Sequence, residues 1–347
     1  MQNWSWNVRG TLTPAAPRGP PVHPRVVVVA ATLFLALLAT LLVAQQPRSH
    51  LLELAHPRPF ANYNHSYPLS PPRALPSAVH WRLGVVARDG QVVDGELLVP
   101  RDPGAPLSVQ WAGSRGARLD RGGRAVAVAA LQVFNGRLFV ADGVDGVVSE
   151  AVREQRVLAP RLVLAAGAGD TSETLRVAWL AVRDRLLWAG PALHVAAGAE
   201  AYVKVASPTG QLKHVDWAPL LAQLRRHAPE TADMFVRAVQ WSAARNAWVV
   251  LVSDTAPGAE PARHAAWYVL DEDDARRVAR LAVDAGALPV APVAFKFVPE
   301  TEDTLALVLT HAGTLELADL GDSAPYRRMA PAPITPALPA ATAFEFL

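Results

Sequence analysis

A five-bladed β-propeller behind a single N-terminal transmembrane helix is the all-β architecture this sequence predicts. Three observations lead there: hairpin signals that recur along most of the chain, one unbroken apolar run near the N-terminus, and a composition able to fill a large core. Of the 347 residues, 51% are hydrophobic and 18% charged, enough apolar surface for one or two domains. Lysine and arginine number 33 against 31 acids, so no overall field favours nucleic acid, and no such partner is expected. Cysteine is absent, which excludes disulfides, thiolate metal sites and cysteine nucleophiles.

From the N-terminus, residues 1–25 read as a short cytosolic tail and residues 26–44 as a signal anchor. Val26 to Ala44 is apolar apart from Thr32 and Thr40, and about 20 such residues cross a bilayer core as a helix. Arg9, Arg18 and Arg25 precede the run with no acid among them, whereas Arg48, Glu53 and Arg58 follow. The positive-inside bias therefore leaves the N-terminus in the cytosol and the remainder in the lumen, as a single-pass type II protein of the ER/Golgi route. A cleaved signal peptide is the competing reading; the run is long for one, and Leu42 is bulky for the minus-three position of a cut after Ala44. In the anchored topology the sequon Asn64-His65-Ser66 is luminal and open to glycosylation, while Asn3-Trp4-Ser5 is cytosolic and idle. Residues 45–78, rich in proline and without periodicity, read as a stalk.

Residues 79–347 carry the hairpins. Leu131 to Phe134, the turn pair Asn135-Gly136, and Arg137 to Val140 form a strand, a type I′ turn and a strand. Comparable units centre on Asp89-Gly90, on Arg183-Asp184-Arg185, on Arg245-Asn246 and on Glu302-Asp303. Five hairpins at intervals of roughly 45 to 60 residues point to a propeller of five blades.

Two segments depart from the strand pattern. Asp216-Trp217-Ala218-Pro219, opening onto Leu220, Leu221 and Leu224, predicts a capped amphipathic helix with proline in its first turn. Ala275 to Ala287 also has helical spacing. The acidic run Asp271-Glu272-Asp273-Asp274 lacks the glycine and spaced ligands of an EF-hand loop and reads as a solvated turn. His194, His214 and His227 show no metal-ligand spacing, and neither a phosphate loop nor a nucleophile elbow is present.

Several segments then carry a resemblance. Asn62-Tyr63-Asn64-His65-Ser66-Tyr67-Pro68-Leu69-Ser70-Pro71-Pro72 is similar to the segment that precedes the first blade in calcium-activated nucleotidases, the apyrases of vertebrate type. So are Val133-Phe134-Asn135-Gly136 with Gly146-Val147-Val148, Trp179-Leu180-Ala181-Val182, Tyr202-Val203-Lys204-Val205, Trp241-Ser242 and Phe295-Lys296-Phe297-Val298-Pro299, in family order. The resemblance implies a five-bladed propeller with one calcium ion in its central tunnel, hydrolysing nucleoside diphosphates such as UDP and GDP. Calcium takes oxygen ligands and activates water beside the phosphates.

Position by position, the chain departs from that pattern. The family's Ser-Asp pair before the Val-Phe-Asn-Gly hairpin aligns with Ala129-Ala130, the glutamate before Trp-Leu-Ala-Val with Ala178, and the glutamate before Trp-Ser with Arg237. The serine before Phe-Lys-Phe aligns with Ala294 and the C-terminal glutamate with Thr342. An essential aspartate falls at Arg88, and an Asp-Gly-Asp-Gly loop has become Ala166-Gly167-Ala168-Gly169. A methyl group cannot coordinate calcium and a guanidinium repels it, so the expectation is a pseudoenzyme without a calcium cofactor. It would act by binding a nucleoside diphosphate, another anionic ligand at Arg237, or a protein; Arg237 pointing outward to a surface acid is the bland alternative. The resemblance further implies a homodimer or pairing with an active relative. The competing class is a divergent UDP/GDP diphosphatase, for which Asp142, Asp145, Glu150 and Asp170 are the nearby acids.

Overall fold

The computed structural model describes residues 4–6, 12–14, 60 and 62–347, apart from 103–104, 113–117, 153–156, 197–200, 256–263, 272–277, 282–291, 322–331, 335–337 and 339. Two compact units divide the chain, Met1–Ala61 and Asn62–Leu347. In the first, β1 (Trp4–Trp6) pairs antiparallel with β2 (Leu12–Pro14). The apolar run 26–44 lies outside the described residues, and among those described no helix is long and apolar enough to cross a membrane.

The second unit is a ring of five sheets. Its first sheet is built on β3 (Arg73–Ala74), β4 (Ala78–Ala87), β5 (Val92–Pro100) and β6 (Ser108–Trp111). The second holds β7 (Asp120–Arg121), β8 (Arg124–Ala125), β9 (Val128–Phe134), β10 (Arg137–Asp142), β11 (Val147–Val152) and β12 (Val157–Val163). The third is β13 (Val177–Arg183), β14 (Leu186–Pro191), β15 (Tyr202–Ala206) and β16 (Leu212–Asp216). The fourth is β17 (Phe235–Ser242), β18 (Ala247–Ser253), β19 (Ala265–Leu270) and β20 (Val278–Arg280). The fifth is β21 (Pro292–Phe297), β22 (Leu305–Thr310), β23 (Thr314–Asp319) and β24 (Ala332–Pro333). Last in sequence, β25 (Ala341–Phe346) returns to the first sheet and pairs with β4, which closes the ring between the two ends of the propeller.

In each blade one strand lines the axis, and β25, β9, β13, β17 and β21 pack in that order around it. Five separate hydrophobic clusters fill the five interfaces between blades. The second strands of blades four and five, β18 and β22, are buried along their whole length because blades cover both faces, whereas the outer β16 and β20 are partly or fully exposed. The interface of blades three and four holds Trp179, Trp188, Trp217 and Trp248, with Trp217 and Trp248 at 5.5 Å between ring centroids. Trp179 lies flat enough on blade three that a Cβ on Gly190 would meet its ring at 2.0 Å, so no larger residue fits there.

The expected turns sit where the sequence signals them. Asn135 and Gly136 have φ of 50° and 69°, Asp184 and Arg185 52° and 63°, and Glu302 and Asp303 51° and 58°, the left-handed pairs of type I′ hairpins. The Asp89-Gly90 turn differs in place: it joins β4 to β5, not an axial strand to its neighbour, because the axial strand of that blade comes from the C-terminus. Helix α1 (Ala218–His227) buries Leu220, Leu221 and Leu224 beside the tryptophans, and Asp216 accepts the Ala218 N–H at its start.

Two expectations need correction. Within the segment Ala275 to Ala287 the described residues Val278–Arg280 form a strand, since blade four needs a fourth strand and Val278 pairs with Leu270; the other residues lie outside the described set apart from Leu281. The stretch expected as the end of the stalk belongs to the propeller from Asn62 onward. Its prolines hid apolar anchors: Pro68 is buried, Tyr63 packs edge-on against Phe134, and β3 pairs with β4.

Candidate functional site

Every axial strand carries a one-residue irregularity at the same level. Opposite neighbouring residues of the partner strand, the pairing skips Ala129 in β9, Ala178 in β13, Arg237 in β17, Val293 in β21 and Thr342 in β25. A β-bulge leaves its extra residue unpaired and re-aims the side chain. Four of the five are flanked on both sides by buried residues and are themselves more exposed, as expected of side chains facing the tunnel while their neighbours enter the blade interfaces. Five bulges at one level therefore make a ring.

The ring contains four of the positions singled out in the sequence and, in blade five, the neighbour of another. Ala129, Ala178, Arg237 and Thr342 are members; Ala130 is not, being buried between blades two and three. In blade five the bulged residue is Val293, while Ala294 pairs with Leu309 and packs against the cluster between blades five and one. A one-residue offset of this kind depends on strand register, which no local sequence signal gives.

Arg237 is the one charge in the ring. Its Nη1 reaches the Thr255 carbonyl at 3.5 Å, at the limit of a hydrogen bond. Burial lowers its pKa with no acid acting against it. Thr342 donates its hydroxyl to the Val128 carbonyl of the neighbouring axial strand at 2.7 Å. Arg88 follows β4 with an exposed side chain, and its backbone bonds the starts of two axial strands, its N–H to Ala340 and its carbonyl to Val128. Ala166 and Ala168 lie in the loop before β13, where Gly167 accepts from Lys204 Nζ. Lys204, 1% exposed, also meets His214 Nδ1 at 2.8 Å. Burial lowers the pKa of both, Lys204 adds to the lowering of His214, and Asp170 opposes it in each.

Where the axial strands finish, a different set converges. Lys296 Nζ donates to Glu345 Oε2 at 2.9 Å, to the Leu131 carbonyl at 2.9 Å and to Gln132 Oε1 at 2.7 Å. Glu345, wholly buried, also accepts from Val133 N–H, Phe346 N–H and the Tyr67 hydroxyl. Tyr67 keeps 43% of its surface exposed, yet its hydroxyl reaches inward, and burial, then Glu345, drives its pKa well up. Asn64 fixes the same segment to the turn of blade two: its N–H donates to Asn135 Oδ1 at 2.7 Å, and its own Oδ1 accepts from Ser66. Outside this array lies a cavity of about 720 Å³ between that segment and the hairpin turns, with Tyr63, Trp241 and Arg185 on its walls. Tyr67 and Lys296 lie in segments that carry the family resemblance and Gln132 in a hairpin strand, but none of them, nor Glu345, was singled out as a site residue.

The acids nominated for a divergent hydrolase are mostly engaged elsewhere. Asp142 and Asp145 both pair with Arg121. Glu150 pairs with Arg137 and Arg161 at 2.9 and 2.6 Å. Burial works to raise the pKa of Asp145 and of Glu150, but the arginines outweigh it and both are lowered. Asp170 is exposed. Among the described residues no three His, Asp or Glu side chains group closely enough to hold a metal ion.

Comparison with known proteins identifies the family. Residues 102–316 match the family model described as Apyrase. The rat protein named soluble calcium-activated nucleotidase 1 is 27% identical over 290 residues, covering 72% of this chain and 69% of its own length. Apyrase apy-1 of Caenorhabditis elegans is 29% identical over 145 residues, 38% of this chain and 39% of its own. A chain of the solved nidogen/laminin complex is similar at a TM-score of 0.40 and 9% identity, over 76% of this chain and 97% of that one, too loosely to support an argument. With the family match spanning more than half of its residues and the axial strands carried by the five-blade ring, this chain belongs to the apyrase family.

Proposed function

We propose that this protein keeps the apyrase scaffold without its metal chemistry, and works by binding a nucleotide or a protein partner from a membrane-anchored position in the secretory lumen. The observation that carries the proposal is the ring of five bulged residues. Calcium takes about 6–8 oxygen ligands; the ring offers two alanines, a valine, a threonine whose hydroxyl already bonds the next strand, and a guanidinium. These residues do not fit the ion. A carboxylate is missing from every position that faces the axis at this level, and Arg237 adds a charge of the wrong sign.

The apolar run Val26–Ala44 supports the anchor, with the arginines before it setting a cytosolic N-terminus. Asn64, exposed and in a sequon, is then a luminal glycosylation site. A second copy or an active relative remains a candidate protein partner on the strength of the family alone. Against the alternative of a divergent diphosphatase stands the engagement of Asp142, Asp145 and Glu150 with arginines.

The test is phosphate release from UDP, GDP and ADP by the full-length chain, with calcium and with chelator. No calcium-dependent release above background is expected; metal-dependent turnover at the rate of an ordinary enzyme, on the order of 1–1000 per second, would overturn the proposal.

A further inference from the structure

We propose that Arg237 forms the centre of an anion site in the tunnel that takes a phosphate-type oxyanion with no divalent cation, an inference that rests on the binding role above and supplies its ligand chemistry. Charges removed from water are paired in folded proteins, because leaving one uncompensated costs several kcal/mol in order of magnitude. Several other arginines are better engaged. Arg245 donates to the carbonyls of Asp303 and Leu320, Arg121 pairs with Asp142 and Asp145, and Arg183 lies 4.0 Å from the centre of the Trp241 ring.

Arg237 is less well met. Its contact is the 3.5 Å approach of Nη1 to a carbonyl, and neither Nε nor Nη2 has a partner among the described residues. The nearest acid in sequence, Asp233, is exposed, and Asp254 accepts from Thr255 Oγ1. The other members of the ring have small side chains, Ala129, Ala178, Val293 and Thr342. An idle edge of a planar guanidinium matches two oxygens of a phosphate group, bidentate and charge-assisted. The burial that lowers the Arg237 pKa also strengthens any such bond.

Free phosphate and the diphosphate of a nucleotide share this chemistry, and thermal unfolding separates them. The full-length chain is titrated in chelator, at constant ionic strength, with inorganic phosphate, pyrophosphate or UDP. A saturable rise in Tm of several degrees is expected for at least one of them. A rise with UDP alone assigns the site to a nucleotide, and a rise of equal size with pyrophosphate assigns it to the phosphate group by itself. Arg237→Met, which removes the charge and keeps the stem, is expected to fold and to lose the rise; Arg237→Lys is expected to keep a reduced one. The same rise in Arg237→Met, or no saturable rise with any probe, overturns the site. Calcium-dependent phosphate release by the wild-type chain would strike the binding role instead, whatever the titrations show.

Discussion

The two ends of the tunnel handle charge in opposite ways. Where the axial strands finish, Lys296 and Glu345 are both almost fully buried, and every donor and acceptor of the pair is met by Leu131, Gln132, Val133, Phe346 or Tyr67. Where the bulges lie, one arginine stands without an acid among the described residues, in a ring of alkyl side chains and a threonine. The difference shows which end holds the propeller together. Lys296 on β21, Glu345 on β25 and the acceptors on β9 tie three axial strands across the seam, with β25 and β4 closing the ring. The ion pair of this closure draws on no side chain of the bulge ring.

Attacking the paired end gives the largest effect. Lys296→Met strands the Glu345 carboxylate in the interior, and a loss of about 3–5 kcal/mol is expected in denaturant unfolding; a loss below 1 kcal/mol would mean that the seam is held elsewhere. Tyr67→Phe removes one hydrogen bond to the same carboxylate and is expected to cost about 1.5–3 kcal/mol, with faster hydrogen exchange at Val133 and Phe346. Arg237→Met, at the other end, is expected to leave stability within about 0.5 kcal/mol of wild type or raise it, since no native pair is broken. A loss comparable to that of Lys296→Met would show that Arg237 has a counter-charge and erase the contrast between the ends.

The smallest effect is one of pH on the rim of blade two. Glu150 has its pKa lowered in the folded state, where Arg137 and Arg161 outweigh the effect of burial. Its contribution is therefore complete above the unfolded value of about 4.3 and is lost as the pH falls through the lower folded value. The gap in Tm between wild type and Glu150→Gln should be widest near neutral pH and shrink below about pH 4. A gap that stays constant into acid would deny the ion pairs a role.

Local chemistry made the blades legible. Asn135-Gly136 demands a type I′ turn whatever surrounds it, and the strands on either side follow from alternation and apolar runs. Helix α1 announced itself by proline and by the spacing of Leu220, Leu221 and Leu224. Long-range pairing was hidden. Tyr67 and Glu345 are 278 residues apart, and nothing near either residue points to the other. The return of β25 to the first blade was equally invisible, which is why the Asp89-Gly90 hairpin looked equivalent to the rest. Proline content made residues 62–78 resemble a linker, although proline at an edge or in an extended segment packs as well as other apolar residues. In the ring, the family alignment reached four of the five positions, and Val293 was missed because a bulge shifts facing by one residue, a step set by pairing with β22 and not by the composition of β21.

Isothermal calorimetry of the full-length chain with calcium tests the central claim most directly, because it asks whether the bulge ring can hold the ion at all. The account predicts no saturable heat for the wild-type protein at millimolar calcium. A stoichiometric site, with one ion per chain and an affinity in the micromolar range, would contradict it.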